Sequence, residues 1–100
     1  MEVMEGLEQR PWERRFDFIL KNDFTPRMAA QFVQLANQFS CEIAIQEEHL
    51  SINGKSVLGM LSLQLPAGKA VGVHIKGKNT VEAEEADRVF LSLKKFFLAS

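Results

Sequence analysis

Apolar and polar residues alternate in four segments of the chain, and each alternation predicts a half-buried strand. In the first segment, Phe16, Phe18 and Leu20 share one side. Residues 47–49 separate the second segment from the third and predict the tip of a hairpin. The inward positions of the later three segments are Ile43 and Ile45, then Ile52, and finally Val71, Val73 and Ile75.

Helical spacing of apolar residues predicts three helices between and after these strands. Thr25 and Pro26 form a favourable helix start, with Thr as the N-cap and Pro at the first helical position. Ser56 begins a short helix of about two turns, and Asn79 with Glu82 suits the cap of the last helix. The first and last helices are expected to bury Ala29, Phe32, Val33, Ala36 and Phe39, and Ala86, Val89, Phe90, Leu93 and Phe97.

The predicted order β-α-β-β-α-β-α indicates an α+β fold, an open-faced sandwich in which three helices cover one face of a four-stranded antiparallel sheet. These patterns do not define the strand order. Residues 1–14 are rich in Glu and Arg and predict a flexible N-terminal extension before a single domain at 15–100. Trp12 in that extension either packs onto the domain or a partner, or belongs to a mobile tail.

Composition and charge narrow the functional classes. With 100 residues and a formal charge of −1, the chain is one small domain that is not expected to bind nucleic acid or an anionic membrane. A single cysteine, Cys41, excludes an internal disulfide and fits a reducing compartment. We expect a cytoplasmic protein, because the sequence has neither a signal peptide nor a membrane-spanning run. It also has no nucleophile–base pair, metal-ligand cluster or glycine-rich phosphate loop, so we expect neither an enzyme nor a cofactor.

Two segments resemble HPr, the small phosphocarrier of the bacterial phosphoenolpyruvate:sugar phosphotransferase system. Residues 28–33, Met-Ala-Ala-Gln-Phe-Val, match the helix that follows the HPr active site, at the expected spacing. Residues 53–63, Asn-Gly-Lys-Ser-Val-Leu-Gly-Met-Leu-Ser-Leu, resemble its regulatory-serine segment. The resemblance extends from about Phe16 to the C-terminus, and it implies an antiparallel sheet in the order 1-4-2-3.

The resemblance fails at the residue that carries phosphate. The HPr site typically reads Gly-(Ile/Leu)-His-(Thr/Ala)-Arg-Pro-Ala-Ala, whereas residues 23–30 read Asp-Phe-Thr-Pro-Arg-Met-Ala-Ala. Thr25 therefore occupies the position of the histidine, as in the Crh branch of the family, where this histidine is also replaced. A threonine phosphate ester is a poor relay because its alkoxide is a poor leaving group. We interpret Thr25 as a helix N-cap, while Arg27 is either the family's phosphate-binding arginine or a surface residue.

Neither histidine is a convincing replacement for the missing acceptor. His49 lies beside two glutamates at the predicted hairpin tip, and His74 alternates with inward-facing residues and so points away from the core. We expect both to be exposed turn and sheet residues.

The resemblance also implies that Ser56 is phosphorylated by the HPr-type serine kinase/phosphorylase; the alternative interpretation is a simple N-cap. Apolar residues after Ser56 lie on more than one side of a short helix, so some of them must be exposed and could contact a partner. We expect Leu61 to contact the core. The predicted docking residues are Phe24, Met28, Val57, Leu58 and Met60.

Three functions remain open from the sequence. The first is a regulatory HPr-like protein that does not relay phosphate, is switched at Ser56, and docks to a transcriptional regulator or phosphotransferase-system enzyme. The second is a phosphocarrier with a non-standard acceptor. The third is an HPr-fold adaptor without phosphorylation, acting through its N-terminal extension. The missing histidine favours the first and third, and the Ser56 segment favours the first over the third.

Overall fold

A computed structural model describes residues 11–78 and 83–99, and it has the predicted order of elements. Residues 1–10 of the N-terminal extension and the predicted cap at Asn79 and Glu82 lie outside the described residues. The elements are β1 (Trp12–Ile19), α1 (Pro26–Ala36), β2 (Glu42–Glu47), β3 (Leu50–Asn53), α2 (Val57–Leu61), β4 (Ala70–Gly77) and α3 (Ala83–Ala99).

The four strands form one antiparallel sheet in the order β1-β4-β2-β3, which confirms the order implied by the resemblance to HPr. In this register Phe16 lies opposite Val73, Val73 opposite Ile45, and Ile45 opposite Ile52. Side chains alternate between the faces of a sheet. The apolar residues therefore share one face, and the helices pack against that face.

Aromatic side chains join the last helix to the rest of the core. The ring centroids of Phe16 and Phe90 are 4.3 Å apart, and those of Phe18 and Phe97 are 4.8 Å apart. Phe97 also lies 6.0 Å from Phe32 on α1. Offset aromatic pairs at these distances add to the free energy gained from burial alone. They hold β1 and α1 against the same side of α3.

The first strand begins at Trp12, earlier than the predicted start at Phe16, so residues 12–14 are part of the sheet. Trp12 lies opposite Gly77 of β4, and its indole covers the space that a side chain on Gly77 would occupy. The alternation is lost at Arg14 and Arg15 because β1 is an edge strand, and both side chains are exposed. The expectation that the extension includes residues 12–14 is therefore wrong.

A carboxylate from α3 fixes the turn between α1 and β2. Glu85 accepts hydrogen bonds from the backbone N–H groups of Ser40 at 2.6 Å and Cys41 at 3.2 Å. Burial alone would raise the pKa of Glu85, but the hydrogen bonds from Cys41 and Ser40 outweigh it, and the pKa is lowered. Burial, with the Glu85 charge as a second cause, raises the pKa of the Cys41 thiol to about 11.

Candidate functional site

Thr25 is the N-cap of α1, as predicted. Its backbone is extended, with φ −88° and ψ 162°, and its Oγ1 accepts a hydrogen bond from the Met28 N–H at 3.2 Å. Pro26 follows at the start of the helix, where its fixed φ is already helical. The hydroxyl that replaces the family's imidazole therefore has a structural partner within its own helix.

The start of α1 offers few groups to a bound phosphate. Phosphate sites at helix N-termini rely on free backbone N–H groups. Pro26 has no N–H, and that of Met28 is directed to Thr25, so among the first three helical residues only the Arg27 N–H is not engaged in this way. The Arg27 side chain is exposed. This end of the helix is therefore less suited to a phosphoryl group than one without proline.

Phe24 is buried, with 7% of its surface exposed, so the expectation that it belongs to an exposed patch is wrong, although it lines a surface cleft. Its N–H donates to Leu65 O at 2.8 Å, and this bond holds the segment before α1 against the chain that leads into β4. Met28 is half-buried and packs against the core, so only part of it is available to a partner. Beside Phe24, a cleft of about 420 Å³ is lined by Pro26, Leu61 and Pro66 among others.

Ser56 is the N-cap of α2. Its Oγ accepts a hydrogen bond from the Gly59 N–H at 3.1 Å, and its own N–H donates to Asn53 O at 3.0 Å. The Asn53 side chain closes the same turn by accepting from the Lys55 N–H at 2.9 Å. Ser56 is half-buried, and hydrogen bonds hold the turn that it follows.

The apolar residues of α2 divide differently from the prediction. Met60 is fully buried, so its predicted docking role is wrong, whereas Leu61, expected in the core, is 44% exposed. Met60 lies three residues before the buried Leu63, and both therefore face the core. Val57, Leu58 and Leu61 share the opposite side, where Leu58 is 83% exposed. We call these three residues the α2 patch.

Lys55, directly before Ser56, is bound to the end of α1. Its Nζ donates a hydrogen bond to Phe39 O, and its own carbonyl accepts a long bond of 3.5 Å from Asn37 Nδ2. Asn37 also donates to Val33 O at 2.9 Å, which completes the C-terminal cap of α1. The sequence places a lysine beside Ser56, but it gives no signal for these contacts.

His74 points away from the core as predicted, but it is only 6% exposed, so the expectation that it is exposed is wrong. It lies between Arg15 of β1 and Ala44 of β2, and its Nε2 is 3.0 Å from Glu13 Oε2. His49 is exposed in the turn between β2 and β3, as predicted.

Within residues 11–78 and 83–99, no group of three or more His, Cys, Asp and Glu side chains could hold a metal ion. In the same part of the chain, no helix has the length and apolar character needed to cross a membrane.

Comparison with known proteins agrees with the fold. The family model described as "PTS HPr component phosphorylation site" matches residues 12–92. The "HPr-like protein Crh" of Halalkalibacterium halodurans is 35% identical over 79 residues, which cover 79% of this chain and 94% of that protein. The Crh protein of Bacillus subtilis is 32% identical over 73 residues, 73% of this chain and 86% of that protein. The crystal structure of HPr-C-His from Thermoanaerobacter tengcongensis has a TM-score of 0.62 at 30% identity, covering 86% of this chain and 94% of that one. The chain belongs to the HPr family of the phosphotransferase system, and it is similar to the Crh proteins within that family.

Proposed function

We propose that this protein is a regulatory member of the HPr family that does not relay phosphate, is switched by phosphorylation of Ser56, and acts by docking to other proteins in the cytoplasm. The observation that carries the proposal is the contrast between two helix caps. Thr25 has replaced the phosphocarrier histidine at α1, while Ser56 remains at α2 beside an exposed apolar surface. The similarity to proteins named Crh supports the same proposal.

The chemistry of the switch is the transfer of the ATP γ-phosphoryl group to Ser56. A bond forms between Oγ and phosphorus, the bond from phosphorus to ADP breaks, and the hydroxyl proton passes to a base on the kinase. The product carries about −1.5 to −2 charge at neutral pH. An ester of this kind is stable in acid, unlike a phosphohistidine, and so it serves as a lasting signal and not as a relay.

Docking is assigned to the α2 patch of Val57, Leu58 and Leu61, next to Ser56. Contiguous exposed apolar residues are a common mark of a protein-binding surface, and three large side chains are exposed here within five residues. We include the half-buried Met28 on α1 in the proposed docking surface. The partner is a transcriptional regulator or a phosphotransferase-system enzyme that distinguishes the phosphorylated from the unmodified form; neither nucleic acid nor a membrane is proposed as a partner.

The first experiment is phosphorylation by an HPr-type serine kinase/phosphorylase with ATP. We expect one acid-stable phosphate per chain and none in Ser56→Ala. Ser62→Ala is a matched control, because Ser62 is an exposed serine at the other end of α2 and should not affect the reaction. If Ser56→Ala is modified as well as the wild type, the regulatory proposal fails and the adaptor without phosphorylation becomes the better explanation.

The second experiment tests the relay. Incubation with phosphoenolpyruvate and Enzyme I should leave the protein unmodified, with an ordinary HPr as positive control. The burial of His74 and its contact with Glu13 give little support to a non-standard acceptor at that position. Stoichiometric, acid-labile phosphate on His49 or His74 would contradict the proposal and favour the phosphocarrier alternative.

A further inference from the structure

The side chain of Lys55 connects the proposed phosphorylation site to the end of α1. Its ammonium group is bound to Phe39 O, a neutral carbonyl in the turn after α1, although Lys55 directly precedes Ser56 in the chain. Within residues 11–78 and 83–99, no carboxylate ion pair is found for this ammonium group. A half-buried cation therefore lies one residue from the serine, held by a carbonyl oxygen alone.

We propose that Lys55 is the intramolecular partner of the phosphate on Ser56, and that its ammonium leaves Phe39 O to bind the phosphate. This inference rests on the proposed phosphorylation of Ser56. The bond from the ammonium to Phe39 O already has a charged donor, and a phosphate would supply a charged acceptor as well, so it attracts the ammonium more strongly than a neutral carbonyl does. The lysine stem is flexible and carries the ammonium as a compact charge, so the group can turn toward an adjacent residue without movement of the backbone.

No other basic side chain lies close to Ser56 along the chain. Residues 57–63 contain no basic side chain, and the Gly59 N–H is already directed to Ser56 Oγ. The backbone N–H of Lys55 is bonded to Asn53 Oδ1. Lys55 is therefore the cation nearest to the phosphate along the chain, and its present partner is the weaker competitor.

The change should remain local, because the turn after α1 is held by a second element. Glu85 binds the N–H groups of Ser40 and Cys41, and neither bond involves Lys55. Release of Phe39 O should therefore leave the backbone of the turn in place. Phosphorylation then alters two surfaces: the α2 patch gains a phosphate that is partly neutralised, and the end of α1 loses its bound cation.

The test uses full-length protein with phosphoserine placed at position 56 during translation, so no kinase is needed. The carbonyl ¹³C signal of Phe39 and the Nζ signal of Lys55 are recorded by NMR with and without the phosphate. We expect the Phe39 carbonyl to move toward its position in Lys55→Met. In Lys55→Met the phosphate should not move the Phe39 signal, whereas Lys21→Met, a control at an exposed lysine, should behave as wild type.

The inference is overturned if the phosphate leaves the Phe39 carbonyl unchanged in the wild-type chain, or moves it equally in Lys55→Met. If Lys55→Met does not fold, the Nζ signal of Lys55 in the wild-type chain decides the matter: it should move when the phosphate is present, and an unchanged Nζ signal would overturn the inference. A kinase that ignores the unmodified protein would contradict the proposed function only, since this experiment does not use the kinase.

Discussion

The contact between Trp12 and Gly77 can be tested by adding a single methyl group. In Gly77→Ala the new Cβ would lie inside 3.0 Å of the indole, closer than real Cβ atoms approach, so the ring must move. Forcing extra volume into a packed site costs about 1–3 kcal/mol, and exposing a large apolar side chain costs a similar amount. Alanine itself is about 0.5–1 kcal/mol better than glycine in a strand. We therefore expect a net loss of about 1–2 kcal/mol.

The same substitution should have the opposite sign when the indole is absent. In a Trp12→Ala background nothing opposes the methyl group, so Gly77→Ala should be neutral or stabilising by about 0.5–1 kcal/mol. The coupling between the two positions is then about 2 kcal/mol. Gly72→Ala in the same strand is the matched control, because its nearest neighbour would be at 3.5 Å, an ordinary contact.

The assay is urea unfolding followed by far-UV circular dichroism, which does not depend on the tryptophan that is removed. Each 1 kcal/mol lost from the free energy of unfolding should lower the melting temperature of a domain of this size by about 4–8 °C, so thermal unfolding provides a second measurement. An equal cost of Gly77→Ala with and without Trp12 would refute the packing argument.

Three further outcomes are expected. Thr25→His alone should not accept phosphate from Enzyme I, because Pro26 still lacks an N–H. The double variant Thr25→His with Pro26→Ala should accept more phosphate than Thr25→His alone. Acid-labile ³²P on the protein measures both outcomes. Glu85→Gln should lower the free energy of unfolding at pH values above the ordinary carboxyl pKa. The difference between variant and wild type should vanish as the pH falls through the lowered pKa of Glu85 in the folded state, because the unfolded state takes up the proton at a higher pH than the folded state. Urea unfolding at several pH values measures this difference. Met60→Ala should lower the free energy of unfolding by about 2–5 kcal/mol, because it leaves a cavity in the core. Leu58→Ala should change the free energy of unfolding by less than about 0.5 kcal/mol. It should weaken partner binding instead, which titration calorimetry measures.

The sheet and the two long helices could be predicted because each has one buried face. In the helices this face repeats over several turns, and in the strands it repeats at every second residue. Phe16, Val73 and Ile45 alternate with polar residues, and this alternation alone gives their side of the sheet. The strand order came from the resemblance to HPr, because alternation is the same in any order. The start of β1 was missed, since the charged residues after Trp12 belong to an edge strand with exposed side chains.

The site was predicted less well, for two physical reasons. The five residues of α2 are too few for a helical period to identify its buried side. Met60 was therefore predicted to be exposed and Leu61 buried, whereas the structure has the reverse. The contacts of Lys55 and Glu85 depend on how α1, α2 and α3 meet, which no local pattern encodes. The caps at Thr25 and Ser56 were found because a cap is a local property of adjacent residues.

The burial of Cys41 makes the protein resistant to thiol chemistry. With a pKa of about 11, roughly one thiol in a thousand is ionised at pH 8, and the side chain is almost fully covered. Alkylating reagents and oxidants react with thiolates that they can reach. Modification of Cys41 therefore has to wait for the segment that Glu85 holds to open, so its rate measures how often that part of the molecule opens. Under oxidative stress, Cys41 would stay unmodified in the folded protein and would be marked only in the copies that have begun to unfold.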